Sequence, residues 1–387
     1  MHICIVCNEY PPCKHGGIGS FSKDLAQGLV SQGHNVSIIG IYNKRELDFD
    51  KDYSEEIEGV NVHRFALKKK FNYHRLDLVY NRFVLYKEIK KLHARDSIDV
   101  LEAPDFDGWL PMGTPNKIPL VSRLHGGVTT ISTTLNRKVS FIMKAIEKCQ
   151  LKHSDLIVSV SKYTAELTSN VLGLENKSHV IYNAVKMPSQ ILNKDIEEGL
   201  VLFYGSIVPK KGVTELIIAF DSIAGIFPKA KLVLAGKNTY MHEGKAYEEF
   251  LYDLLSEQNK EKVVFTGPLD RDTELFPLVA RANLCCFPSH TESFSLAPLE
   301  AMSMKKAVLF TIYTSGPEAI EDGVSGVLAD TKDPQDIFLK IKSVLEDESF
   351  AKTLGENAKE RIETHFSYES WISKNCDMFE SMKKVIL

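Results

Sequence analysis

Short β-branched runs alternate with amphipathic stretches of 10–20 residues along the whole 387-residue chain, and the alternation starts afresh near residue 200. This is the pattern of parallel sheets wrapped by helices: strands buried on both faces read as continuous apolar runs, while the covering helices keep one apolar stripe. In the first half the strand candidates are 2–7, 35–41, 60–65, 99–101, 119–123, 155–160 and 179–182, with helix candidates 20–32, 77–95, 138–152 and 162–172 between them. In the second half they are 200–204, 231–235, 262–266, 283–287 and 307–310, with helices 213–226, 246–257, 272–280, 297–304 and 333–345. Two doubly wound α/β units in tandem are expected. Length asks for the same division, because a single core stops growing near roughly 250–300 residues. The join is placed at 186–199, where Pro188, Ser189, Asn193, Lys194 and Glu197-Glu198-Gly199 break the periodicity, so the domains are 1–187 and 188–366. Trp371, Ile372, Met378, Phe379 and Met382 give the tail 367–387 helical spacing, which suits closure of either core.

Composition narrows the function classes. Hydrophobic residues make up 44% and charged residues 25%, as in an ordinary globular protein, and no run of 18 apolar residues is present to cross a bilayer. A net charge of −4 argues against a chain built mainly to hold nucleic acid. The charge is uneven, +5 over residues 1–190 and −9 over the remainder, so the first half can face something anionic. Seven cysteines, an odd number thinly spread, and no apolar leader after Met1 lead us to expect a reducing cytoplasm. Cys4 and Cys7, followed by Cys13 and His15, allow a zinc or redox reading, but the run Ile3-Cys4-Ile5-Val6-Cys7 reads as a buried strand whose odd separation turns the two thiols to opposite faces.

Open sheets bind ligands beyond the carboxyl ends of their strands, so residues just after strands carry the search for a site. After the first strand, Asn8-Glu9-Tyr10-Pro11-Pro12 leads to Gly16-Gly17-Ile18-Gly19-Ser20 at the start of a helix. Glycines there let backbone N–H groups approach a diphosphate, although a tight turn also needs them. The segment matches neither G-x-G-x-x-G nor a P-loop. His125-Gly126-Gly127 puts an imidazole at another strand end, where it either meets a substrate or caps a turn. In Gly205-Ser206-Ile207-Val208-Pro209-Lys210-Lys211-Gly212, the adjacent lysines either neutralise a leaving diphosphate or form a solvated pair. The richest run is 287–302: Glu292 lies in a loop after a strand, small residues follow, and Glu300 lies inside the next helix. One carboxylate can accept hydroxyl hydrogens from a sugar and the other from a ribose, with amides between them for two phosphates. That is the shape of a nucleotide-sugar.

Taken together, segments 16–20, 125–127, 205–212 and 292–300, continued by Thr314-Ser315-Gly316-Pro317-Glu318-Ala319-Ile320 and Asp322-Gly323-Val324-Ser325-Gly326, resemble the retaining glycosyltransferase family 4. The resemblance implies a GT-B architecture: two Rossmann-like domains facing a central cleft, the donor held mainly by the second, and a C-terminal helix crossing back to the N-terminal domain. It implies retaining transfer of a hexosyl-type residue from a nucleoside-diphosphate sugar, UDP-sugar slightly before GDP-sugar, with no metal and no other cofactor. Carried onto this chain, Glu300 would hold the ribose hydroxyls and Glu292 those of the transferred sugar. Amides of Phe294, Ser295 and Leu296, with the Gly16-Gly17 loop, would cradle the diphosphate, Lys211 would neutralise it as it leaves, and His125 would hydrogen-bond the sugar and support charge at its anomeric carbon. Two departures stand out. Ser206 occupies the position where the family has Arg, a loss that Lys210 is placed to offset, and Ser293 and Ser295 stand where glycines are common.

Other readings compete. Asp105-Phe106-Asp107 and Asp48-Phe49-Asp50 allow a D-x-D metal-dependent transferase of the GT-A layout, which leaves the second α/β set unexplained. A nucleotide-sugar epimerase fits the same scaffold, and a degenerate donor-binding protein fits the missing Arg. The acceptor is a glycan, a lipid-linked sugar or a small molecule, with bacterial-type surface polysaccharide as the expected product. Lys68-Lys69-Lys70, Arg75, Arg82, Lys87, Lys90, Lys91 and Arg95 either approach an anionic membrane from the cytoplasmic side or form a solvated helix face.

Overall fold

A computed structural model describes residues 1–13, 16–43, 52–71, 73–186 and 195–383, with 74 and 75 as backbone only. His15, Asp48-Phe49-Asp50, and Pro188, Ser189, Asn193 and Lys194 of the expected join lie outside the described residues. The chain divides into two compact units, Met1–Asn183 with Glu369–Leu387, and Ala184–Tyr368.

In the first unit the chain runs β1 (His2–Val6), α1 (Gly17–Ser31), β2 (Asn35–Tyr42), β3 (Tyr53–Ile57), β4 (Val60–Ala66), α2 (His74–Asp96), β5 (Val100–Pro104), β6 (Leu120–Leu124), α3 (Val128–Thr134), α4 (Phe141–His153), β7 (Leu156–Ser159), α5 (Lys162–Leu172) and β8 (His179–Val180). These strands form one sheet in the order β3-β4-β2-β1-β5-β6-β7-β8, parallel except for β3 against β4. β1, β5 and β6 are buried along their whole length; the apolar run of β1 reflects this, whereas β5 and β6 carry the buried Glu102 and Arg123. Cys4 and Cys7 are both buried, and burial pushes the Cys7 thiol up to about 12, the state of an inert packing residue.

The second unit continues with β9 (Leu200–Tyr204), α6 (Val213–Ile226), β10 (Lys231–Ala235), a small hairpin of β11 (Met241–His242) and β12 (Lys245–Ala246), α7 (Tyr247–Asp253), β13 (Val263–Gly267), α8 (Phe276–Arg281), β14 (Leu284–Phe287), α9 (Leu296–Ser303), β15 (Ala307–Thr311), α10 (Gly316–Ala319), β16 (Val327–Ala329), α11 (Pro334–Glu346) and α12 (Glu348–His365). The main sheet is wholly parallel, in the order β13-β10-β9-β14-β15-β16. Val213, Leu216, Ile217, Phe220 and Ile223 of α6, and Ile337, Ile341 and Val344 of α11, recur at three- and four-residue spacing and enter one core with the strands.

The final helix, α13 (Tyr368–Lys383), packs in the first unit. Trp371 meets Phe21 edge to face at 5.3 Å. Asn375 Oδ1 accepts from Arg123 Nη2 at 2.7 Å, joining a buried network in which the same guanidinium grips both oxygens of Glu102. Each hydrogen bond to a buried charge offsets part of its lost hydration, so Asn375 ties α13 to the sheet.

One expectation is corrected. Arg82 does not belong to an exposed basic face: it is buried over Trp109, and its guanidinium donates to the carbonyls of Leu78, Asp107 and Gly108. Its side chain leaves water because three carbonyls replace the hydration. No helix among the described residues is long and apolar enough to cross a membrane.

Candidate active site

In the second sheet the strand order reverses between β9 and β14. The chain builds β10 and β13 on one side of β9, then adds β14, β15 and β16 on the other, and it is beyond the carboxyl ends at such a reversal that open sheets bind ligands. The segments leaving those ends, 205–212 and 288–296, are laced together. His290 N–H donates to Lys210 O at 2.9 Å, and the Lys211 ammonium pairs with the Glu292 carboxylate, which also accepts from Ser289 Oγ at 3.2 Å. His290 Nε2 stands 3.1 Å from Glu215 Oε2 in the first turn of α6. Gly212 permits this approach: its φ is +69°, and a Cβ there would lie 1.8 Å from Pro288 O.

Beyond Glu292 the chain enters α9. Ser295 is its N-cap residue with no side-chain cap bond, and Pro298 in the first turn forfeits no intrahelical bond, so Leu296 and Ala297 carry the first backbone donors. Phe294 is buried against Phe366, and Tyr204 at the end of β9 donates its hydroxyl hydrogen to Ala297 O at 2.6 Å, which sets the height of the helix start over the sheet. Glu300 is mostly buried, and its Oε1 lies 2.7 Å from Nη2 of Arg271. Arg271 comes from the turn after β13. Ser206 is exposed at the end of β9. Thus both carboxylates are held by cations, one on each side of a helix start.

In the first unit the order reverses between β1 and β5, and residues after β1, β5 and β6 form the corresponding end. Here carboxylates hold backbone donors instead. Glu9 Oε1 accepts from Gly19 N at 2.7 Å, taking one of the first donors of α1. Asp105 Oδ1 accepts from His125 N at 2.8 Å, and Glu147 accepts from Val128 N and Thr129 N at 2.7 and 3.0 Å, which starts α3. The His125-Gly126-Gly127 turn is therefore fixed, not loose. Gly16 and Gly17 are exposed, and a Cβ on Gly17 would meet nothing within 4 Å. Burial raises the Asp105 carboxyl to about 7, against the hydrogen bond from His125. The His125 imidazole packs edge-on to Phe21 at 4.6 Å. Burial first, and then the Arg123 charge, push it far below the usual imidazole range, so it is neutral at physiological pH.

The structure thus gathers Ser206, Lys210, Lys211, Glu292, Phe294, Ser295, Leu296 and Glu300 at one end of the second sheet, and Gly16, Gly17 and His125 at the carboxyl end of the first. The D-x-D reading loses its described copy: Asp105 is a buried cap, and the Asp107 carbonyl binds Arg82. Arg271 and Glu147 escaped the sequence reading, in which Asp105 appeared only within the D-x-D alternative and Glu9 only within the segment leading to the glycines. Weighting the whole turn after β13 would have found Arg271, whereas Glu147 lies mid-helix with no local signal.

Two solved structures define the class of fold. Sucrose-phosphate synthase from Thermosynechococcus elongatus matches with a TM-score of 0.83 over 99% of both chains at 18% identity. HepE of Anabaena, solved in complex with UDP-glucose, matches with a TM-score of 0.74 over 98% of this chain and 100% of that one, also at 18% identity. The fold is GT-B, built of two Rossmann-like units. The family model described as Glycosyltransferase Family 4 matches residues 15–187, and that described as Glycosyl transferases group 1 matches residues 188–361. An uncharacterized glycosyltransferase of Methanocaldococcus jannaschii is 28% identical over 98% of both chains. The chain belongs to glycosyltransferase family 4 and is a glycosyltransferase.

Proposed function

We propose that this glycosyltransferase is a retaining, metal-independent hexosyltransferase of the cytoplasm. Its donor is a nucleoside-diphosphate sugar, UDP-sugar before GDP-sugar. Its acceptor is a glycan, lipid-linked or small-molecule hydroxyl in the assembly of a bacterial-type surface polysaccharide. The observation that carries the donor site is the pair of carboxylates, Glu292 and Glu300, flanking the start of α9 where the second sheet reverses, each held by a cation. In this reading, donor binding exchanges both ion pairs. Ribose hydroxyls replace Arg271 at Glu300, sugar hydroxyls replace Lys211 at Glu292, and Lys211, with Lys210 beside it, turns to the diphosphate. Charge then develops on the leaving phosphates next to an ammonium and the amides of Phe294, Ser295 and Leu296, which act strongest where water is excluded. The first unit keeps the roles the resemblance gave it: the Gly16-Gly17 backbone toward phosphate, and a neutral His125 toward the sugar. The UDP-glucose complex of HepE supports placing UDP first. Contact with anionic membrane is left with Lys69, Lys70, Lys87, Lys90, Lys91 and Arg95 as its exposed cations, the last two paired with Glu88 and Asp96, beside exposed Leu76, Val79 and Phe83 of α2, and vesicle sedimentation tests it.

The test is thermal stabilisation by UDP, GDP, ADP and their sugar conjugates, with and without EDTA, beside Glu300→Ala. A chelator-insensitive shift from one nucleotide, absent in the variant, is expected; no shift from any overturns the donor site. Proton coupling at the anomeric centre of the product then reports retention. A second reading, donor binding without turnover, rests on Ser206. It is carried if Ser206→Arg gains transfer activity that the unmodified chain lacks.

A further inference from the structure

We infer that Arg271 binds the donor's phosphates in this chain, supplying from the turn after β13 the guanidinium absent at Ser206. The inference rests on the reading of the second unit as a nucleotide-sugar site.

A guanidinium grips a phosphate bidentately, as neither a serine hydroxyl nor an ammonium can. Position 206 offers only an exposed hydroxyl, and Lys210 and Lys211 offer only ammonium groups. Arg271 is set in place by its own turn, Arg271–Leu275. The Asp270 carboxylate accepts from Thr273 N at 2.9 Å and Thr273 Oγ1 at 2.6 Å, while Glu274 accepts from Asp270 N at 2.8 Å. The guanidinium lies over the Phe276 ring, 5.1 Å from its centre, and one edge donates to Glu300. It is 44% exposed, whereas Glu300 is 14% exposed, so the other edge of its five-donor fork faces the solvent side of the site.

Its position is also the right one. Glu300 is the fifth residue of α9, about 6 Å along the axis from Leu296, within the swing of an arginine side chain. Tyr204, two residues before Ser206, touches the first turn of α9 through Ala297, and Arg271 reaches the second turn through Glu300. The end of β9 and the Arg271 side chain therefore both meet the start of α9. When ribose hydroxyls take over Glu300, the freed N–H groups of Arg271 are next to the phosphates.

The experiment measures binding by calorimetry for three matched pairs, UDP with uridine, GDP with guanosine, and ADP with adenosine. The pair whose diphosphate binds the unmodified full-length chain is carried forward to Arg271→Ala, Arg271→Lys and Arg271→Ala/Ser206→Arg, with unfolding curves to show that each variant folds. The expected result is a diphosphate Kd raised roughly 10- to 100-fold in Arg271→Ala, the range for one lost charged hydrogen-bonding group, with the nucleoside unchanged within about twofold. Arg271→Lys falls between, and adding Ser206→Arg recovers most of the loss. Equal weakening of nucleoside and diphosphate overturns the inference, because Arg271 then acts on the base or only orients Glu300. No recovery by Ser206→Arg overturns the equivalence of the two positions. If no diphosphate binds the unmodified chain, the donor-site reading itself falls, an outcome distinct from either.

Discussion

At the scale of single residues, this enzyme controls charge by pairing. In the second unit cations cover carboxylates, and in the first carboxylates cover backbone donors, so each needs a different test. Lys211→Ala should lower turnover about 10²–10³-fold if its ammonium meets the leaving diphosphate, and initial rates at saturating donor measure that. His125 is held neutral by burial and by Arg123. Its ring carbon proton in the NMR spectrum should therefore keep a constant shift from pH 8 down to 5.5; a midpoint near 6.5 refutes the assignment. Asp105 gives a stability prediction with a definite sign. Its folded carboxyl, raised to about 7 from an ordinary 3.8, holds a proton that the unfolded chain releases, so its contribution declines as pH rises from about 4 to 7. Asp105→Asn keeps an acceptor for His125 N–H and removes the titration. The fall in melting temperature across that window should be shallower in this variant than in the unmodified chain.

At the scale of elements, the site depends on how two strand-to-helix turns are fastened. Gly212 is the point of closest approach, and alanine there meets Pro288 O while keeping a positive φ. Gly212→Ala should destabilise the second unit by about 2–4 kcal/mol, combining backbone strain with overpacking, and should abolish stabilisation by nucleotide because the segments 205–212 and 288–296 are forced apart. Urea unfolding followed by a nucleotide thermal shift checks both. The same scale explains which elements the sequence concealed. β3 is a half-exposed edge strand of sequence Tyr-Ser-Glu-Glu-Ile, with no apolar run to mark it. α3 is Val-Thr-Thr-Ile-Ser-Thr-Thr, poor in helix formers and started by Glu147 from a distant helix. The helix candidate 272–280 begins instead as a wide π-type turn before α8, with Leu275 N–H donating to Asp270 O at 2.8 Å, and that turn is what presents Arg271.

At the scale of the whole molecule, a chain contributes to its first unit from both of its ends. Asn375 on α13 supplies an acceptor to Arg123, whose guanidinium is fully buried with Glu102. Asn375→Ala should cost about 1.5–3 kcal/mol, the range for a hydrogen bond to a charged group. The loss should appear in the transition of the first unit, while nucleotide should raise that of 184–368 by mass action; differential scanning calorimetry resolves the two. By itself the sequence determined two parallel-sheet units, since runs such as Leu200–Tyr204 and Ala307–Thr311 are apolar throughout and can be buried only between helices. It also marked out the segment on which the proposed donor site rests, because a loop carboxylate, small residues and a helical carboxylate stand together in 287–302. Tertiary structure alone decided which cation meets which carboxylate and that Arg82 turns inward, while for α13 it agrees with what the resemblance, and not the periodicity, implied. These depend on strand order and on distances between residues far apart in sequence, and local periodicity does not encode either.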